Sequence, residues 1–163
     1  MNADAFRQLY GYHFSQNRTI WDPYITALCD GQFTQEAGYS HGSVRNQIAH
    51  LVNVDDGWFS ELRGVEFPAS LPDDVVDRSS IRAHWDGVEQ RMRDYLAGLR
   101  DEMLFTKPIS LEEDKDLIVW QVLLHVANHG TDHRAQLLRQ LNDLGIKTVS
   151  QDYIFYAYRH PQR

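Results

Sequence analysis

A single cysteine, Cys29, in a chain of 163 residues excludes an internal disulfide and any zinc site built on cysteines, and it suits a reducing compartment. By residue type that lone thiol is expected to be a small buried apolar side chain. Long apolar runs are missing too. No window approaches the roughly 18 apolar residues needed to cross a bilayer. The opening MNADAFRQLYGYHF has no basic stretch leading into an apolar one, so a cytoplasmic protein with no membrane partner is expected. Basic clusters are absent as well: 16 Lys and Arg stand against 23 Asp and Glu, a formal net charge of −7. A nucleic-acid backbone would be repelled by such a surface, so no nucleic-acid partner is expected. Nor is there a repeat, a low-complexity tract or an alternating series of strands. The remaining composition, 42% hydrophobic and 24% charged, is that of an ordinary globular protein. At this length about two thirds of the unfolded surface can be buried, so one domain spanning 1–163 is expected to fold without a cofactor.

Apolar residues recurring at threes and fours predict four long helices. The first runs over Ala3–Leu28 on Phe6, Leu9, Tyr10, His13, Phe14, Asn17, Ile20, Trp21 and Tyr24, with a kink or a new first turn at Pro23. After a polar loop, Asp30–Gly42, Ser43 is placed to cap a second helix to about Arg63, whose apolar face is Val44, Ile48, Leu51, Val54, Trp58 and Leu62. A connector, Gly64–Asp77, contains Pro68 and Pro72, and a third helix starts at Ser79 or Ser80 and carries Ile81, Trp85, Val88, Met92, Tyr95, Leu96 and Leu99. Arg100–Lys115 alternates weakly and suggests a short extended excursion. The fourth helix ends near Gly145, and the aromatic tail around Tyr153, Phe155, Tyr156 and Tyr158 suggests a last short helix. This pattern predicts an all-α fold, a four-helix bundle, in which metal sites are commonly built from facing helices.

The fourth helix carries His125, His129 and His133 at intervals of four. At about 100° per residue, His129 and His133 share the sector of Ile118, Val122, Val126 and Leu137, while His125 falls on the polar margin. Two imidazoles one turn apart on an inward face require partners, and a shared metal ion is one. On the second helix, His50 lies at the edge of the apolar face and could supply a third nitrogen. Asp55 lies inside that face, where an acid is nearly always paired. His41, His84 and His160 are explained by surface positions, and Trp58, Trp85 and Trp120 by packing.

The run HVANHGTDHRAQLLRQLNDLG resembles the signature of the DinB/YfiT-like superfamily, a His-x3-His followed by Arg and, two positions on, Gln: here His129, His133, Arg134 and Gln136. NQIAHLVNVDDGW is similar to the second-helix motif, a ligand histidine, His50, followed five residues later by an acid, Asp55. YHFSQN resembles the first-helix stretch ending in Asn, here Asn17, and DYIFYAYR the C-terminal segment. The resemblance implies a DinB-like bundle, frequently dimeric, with one divalent ion (Zn, Ni, Fe or Mn) on His50, His129 and His133. It also implies thiol-dependent transferase or isomerase chemistry, or amide-type hydrolysis, in the branches whose reactions are understood. Asp55, Asn17, His13 and His125 become candidates for the pocket or for a layer behind the ligands, with Asp55 as an acceptor for the outer nitrogen of a ligand histidine. Gly130 stands where many members carry an acid or a bulky polar residue; it costs up to about 1 kcal/mol of helix propensity and is expected to open room near the metal.

Two functions follow as expectations. One is a metal-dependent thiol S-transferase or hydrolase acting on a small molecule, with metal-bound water or a low-molecular-weight thiol as nucleophile, since no cysteine lies near the histidines. The other is a non-catalytic stress-response protein that binds a metal or small ligand. The surplus of aromatics in the first helix and in the tail adds the expectation of a homodimer.

Overall fold

The computed structural model describes residues 1–66, 69–72, 75 and 77–161. Pro68, expected in the connector, lies outside them. The long helices are α1 (Ala3–Ile20), α3 (Val44–Arg63), α4 (Arg78–Gly98) and α5 (Val119–Asp143), joined by the short α2 (Asp30–Thr34) and closed by α6 (Tyr153–Arg159). The four long helices pack as a bundle, α3 lying against both α4 and α5 and α1 against the same two. The fold is all-α. No strand occurs among the described residues, and no described helix is long and apolar enough to cross a membrane.

Caps set the helix starts. Asn2 Oδ1 accepts from the Ala5 N–H at 2.9 Å, Ser43 Oγ from Asn46 at 3.1 Å, and Asp77 caps α4 by accepting from Ser80 at 2.9 Å. α5 ends as the sequence predicts, with Gly145 at φ +80° just past its last residue.

Several expectations need correction. α1 stops at Ile20 and passes into a π-helical turn, Trp21–Ile25, where Thr26 N–H reaches back five residues to the Trp21 carbonyl at 3.2 Å. Pro23, which has no N–H, sits inside that turn. The stretch after α4 holds a 3₁₀ turn, Asp101–Phe105, in place of an extended excursion; Asp101 accepts from the Ala3 N–H at 2.7 Å and so ties it to the start of α1. Cys29 is exposed, because it occupies the cap position of α2, where its N–H donates to Gln32 Oε1 at 3.1 Å.

The core contains Phe6, Tyr10 and Phe14 of α1, Ile81, Val88 and Met92 of α4, and Val122, Val126 and Leu137 of α5, as predicted; on α3 the predicted Val44, Ile48, Leu51 and Leu62 are buried, but Val52 and Phe59 take the core places expected of Val54 and Trp58, which are half-buried. Several of its polar members are bonded to other parts of the chain, while Gln16 Oε1, Asp55 Oδ1 and Gln140 Oε1 are buried without a hydrogen-bond partner among the described residues. Tyr10 Oη donates to the Leu123 carbonyl at 2.9 Å, and burial, reinforced by Asp55, holds its phenol well above the usual range. Asp56 takes a two-pronged bond from Arg91 at 2.7 and 3.1 Å, and buried Arg45 fixes the connector through the Val75 carbonyl at 2.8 Å.

The aromatics of α1 are buried within the chain, contrary to the surplus expected there, whereas those of α6 divide. Tyr156 is buried against α1, its hydroxyl 2.6 Å from where a Cβ on Gly11 would lie, while Tyr153, Ile154, Phe155 and Tyr158 face outward. A side chain at position 11 would have to displace the Tyr156 hydroxyl.

Candidate metal centre

α3 and α5 bring the predicted histidines together. His129 and His133, one turn apart, have ring centroids 4.2 Å from each other, and His50 stands across from them at 5.0 and 4.5 Å. The Nε2 atoms of His50 and His129 are 3.0 Å apart. That is near the roughly 3.3 Å expected between two imidazole nitrogens on one tetrahedral ion with bonds of about 2.0–2.1 Å. A fourth ring joins them. His41, from the loop before α3, stacks on His50 at 3.7 Å with the planes 21° apart, and ligating atoms of His41, His50 and His133 all lie within 4.8 Å of one another. Sequence reasoning left His41 as a surface residue; nothing in helical spacing relates a turn residue to a helix face.

All three helix-borne imidazoles are biased toward the neutral form that a metal requires. His129 is lowered to about 3 and His50 to about 4, in both cases first by burial and then by neighbouring histidines. His133 is lowered by burial and by His41, against an opposing pull from Asp132. The donor set fits a borderline divalent ion. Two neutral Nε2 atoms face each other at 3.0 Å, and the buried Nδ1 of His129 has no hydrogen-bond partner. Without an ion one Nε2–H can donate to the other Nε2; a cation between the rings would instead take a lone pair from each. Gln47 Nε2 lies 2.6 Å from His133 Nδ1, and Ser40 Oγ bonds Gln47 Oε1 at 2.7 Å. The same Gln47 amide nitrogen donates to the His133 carbonyl at 3.2 Å, so this one side chain clamps both the ring and the backbone of His133.

The remaining predicted residues separate into two places. His13, Asn17 and Asp55 are all buried and form one network around Arg134, the residue after His133. Arg134 Nη1 donates to His13 Nδ1 at 3.2 Å and to Asn17 Oδ1 at 3.1 Å, and its Nε donates to Gln151 Oε1 at 3.2 Å. A guanidinium only donates, so His13 Nδ1 must accept, and His13 Nε2–H donates to Asp55 Oδ2 at 3.1 Å. The partner of Asp55 is therefore His13, and no bond from Asp55 to His50, His129 or His133 occurs among the described residues. Gly130 makes space for this network: a Cβ there would lie 2.5 Å from His13 Cε1 and 2.9 Å from Arg134 Nη1. The room it opens is taken by His13.

His125 is exposed, with its ring 5.9 Å from that of His129 and edge-on to Trp58 at 5.3 Å. Trp58 in turn lines a cavity of about 350 Å³ with Val54, Gly57, Glu61 and Leu111.

The DinB family model matches residues 1–163. The chain belongs to the DinB family. Protein DinB of Bacillus subtilis (strain 168) is 25% identical, the match covering 97% of this chain and 96% of that protein. The crystal structure of a DinB-like protein from Bacillus cereus has the same fold, with a TM-score of 0.68 at 17% identity over 91% of this chain and 97% of that one. In this DinB-family chain His41, His50 and His133 thus form a candidate three-histidine metal site, with His129 joined to it through the 3.0 Å approach of its Nε2 to that of His50.

Proposed function

We propose that the chain is a divalent-metal-dependent enzyme of thiol S-transferase or hydrolase type acting on a small molecule. His50, His129 and His133 hold the ion. The observation that carries this reading is the convergence of these three depressed-pKa imidazoles from facing helices, with two Nε2 atoms 3.0 Å apart. An ion bound there would lower the pKa of a water or present a thiolate from a low-molecular-weight thiol. His125 is the group left to move a proton, since His13 and Asp55 are committed to each other and to Arg134. The cavity beside Trp58 receives the apolar part of the substrate.

Elemental analysis of purified protein tests the ligand set. One equivalent of metal in the wild type should vanish in His129→Ala and His133→Ala and persist in His125→Ala. If His125→Ala empties the site while His133→Ala leaves it filled, the ligand pair is His125 and His129 and the assignment is one turn out of register.

The immobilisation of His13 and Asp55 favours a second reading, a non-catalytic stress-response protein that binds a metal or small ligand. Turnover by the metal-loaded protein across a panel of thiols with electrophilic and amide substrates would reject it. In either case we infer a cytoplasmic homodimer, docked through the outward face of α6, with neither nucleic-acid nor membrane partners; the net charge of −7 and that exposed face support this.

A further inference from the structure

Three helical histidines leave an ion with an open position, and the structure has a side chain already beside it. We propose that His41 is a fourth, displaceable ligand: the chain closes its own site at rest, and an exogenous donor enters by replacing this one imidazole. The inference rests on the three-histidine reading above and adds to it a gate made of a single turn.

The turn is built to hold the ring where it lies. Gly42 N–H donates to the Tyr39 carbonyl at 3.0 Å, Ala37 N–H to the Gly42 carbonyl at 2.7 Å, and Ser43 N–H to the His41 carbonyl at 3.1 Å. Ser40 has φ +53°, the only positive φ at a non-glycine among the described residues. That conformation costs roughly 1–2 kcal/mol for a side chain bearing a Cβ. What offsets it is local to the site. Ser40 Oγ bonds Gln47 Oε1 at 2.7 Å and also reaches Gln136 Oε1, which ties the turn to α3 and α5 on either side of His133. The strained residue is thus the one that fastens the turn over the histidines, and its neighbour is the one that stacks on His50 at 3.7 Å.

The hold on His41 itself is lighter than that on the other three. They are fixed by helix backbone in the bundle. His41 is held by its stacking on His50, a contact of about 0.5–1.5 kcal/mol, and in that pose its in-plane lone pair is not yet aimed at an ion shared with His50; a rotation of the ring brings the nitrogen into line. Side-chain rotation on the turn would vacate the position without disturbing any helix. Four nitrogens make a closed site of the structural kind; removing one restores the open site that chemistry needs.

Cobalt(II) substitution tests this, because its visible d–d bands report the ligands directly. Wild type and His41→Ala, both as the full chain, should each take up one equivalent, with different spectra as solvent replaces a nitrogen in the variant. Titration with azide should then reach its midpoint at a concentration about tenfold higher in the wild type, the factor expected if His41 occupies the position some nine-tenths of the time. Superimposable spectra and equal midpoints would overturn the proposal. So would a folded His41→Ala protein, checked by circular dichroism, that takes up no cobalt, since His41 would then be indispensable. Failure of the wild type to bind cobalt would instead reject the three-histidine reading, and this proposal with it.

Discussion

Gly130→Ala is a substitution on which helix propensity and packing disagree in sign. Position 130 is inside α5, where alanine should gain up to about 1 kcal/mol over glycine. The new Cβ would lie 2.5 Å from His13 Cε1, 2.8 Å from His13 Nδ1 and 2.9 Å from Arg134 Nη1. None of these atoms is the loose end of a mobile chain. His13 is pinned between Asp55 and Arg134, and Arg134 between His13, Asn17 and Gln151. Overpacking against such a site costs about 1–3 kcal/mol before any lost hydrogen bond is counted, so a net destabilisation of roughly 1–2 kcal/mol is expected. At this chain length that is a fall of about 2–8 °C in the melting temperature. Gly87→Ala serves as the control. It is inside α4, and its Cβ would meet only Arg91 Nη1 at an ordinary 3.5 Å, so propensity should act alone and stabilise. Urea and thermal unfolding of both variants decide the matter. A Gly130→Ala protein as stable as the wild type, or as stable as Gly87→Ala, would refute the account of the buried network.

Arg134→Met should be harsher, at about 3–5 kcal/mol, because it strands His13 Nδ1, Asn17 Oδ1 and Gln151 Oε1 in the interior; denaturant titration reads it, and lysine should not rescue a forked donor. Acid sensitivity of the metal-free protein should originate in the histidine cluster. The folded pKa values of about 4 for His50 and about 3 for His129 lie below the unfolded 6.5, so the unfolded chain binds more protons in between and stability should fall as pH drops from about 6.5 toward 4. His129→Ala should flatten that slope in urea titrations with chelator present, and an unchanged slope would count against the cluster as its source. Sedimentation should find a dimer that Tyr158→Glu dissociates, Tyr158 being among the most exposed large apolar side chains at 72%. A clean 19.0 kDa monomer for the wild type would dismiss the α6 interface.

Much of the bundle was legible in the sequence because burial imposes a period. The stripes on α4 and α5 and the Ser43 cap fall where the spacing puts them, whereas the α3 stripe is rotated in its second half, burying Val52 and Phe59 in place of Val54 and Trp58. So do His50, His129 and His133, since a face shared within a helix is a local property. What escaped was non-local. The π-helical turn at Trp21–Ile25 arises from a hydrogen-bond shift of one residue that no apolar pattern records. His41 reaches His50 through a turn whose direction depends on positive φ angles at Gly38, Ser40 and Gly42. Cys29 was misjudged because a residue-type average carries no information about a cap. Asp55 was rightly read as an acid needing a partner, yet that partner is 42 positions away on α1, and not one of His50, His129 and His133.

The close seating of α6 on Gly11 affects how this chain could associate. Tyr156 acts as a plug in the α1 surface, so the outward side chains of α6 are mounted on an anchored helix and not on a wandering tail. A second copy that met this face would find its contact groups already ordered, and less of the binding energy would go to arresting them. The same seat makes the arrangement vulnerable at a distance. A methyl group at position 11, far from α6 in sequence, would have to displace the Tyr156 hydroxyl, and with it the side chain that plugs α6 into the α1 surface.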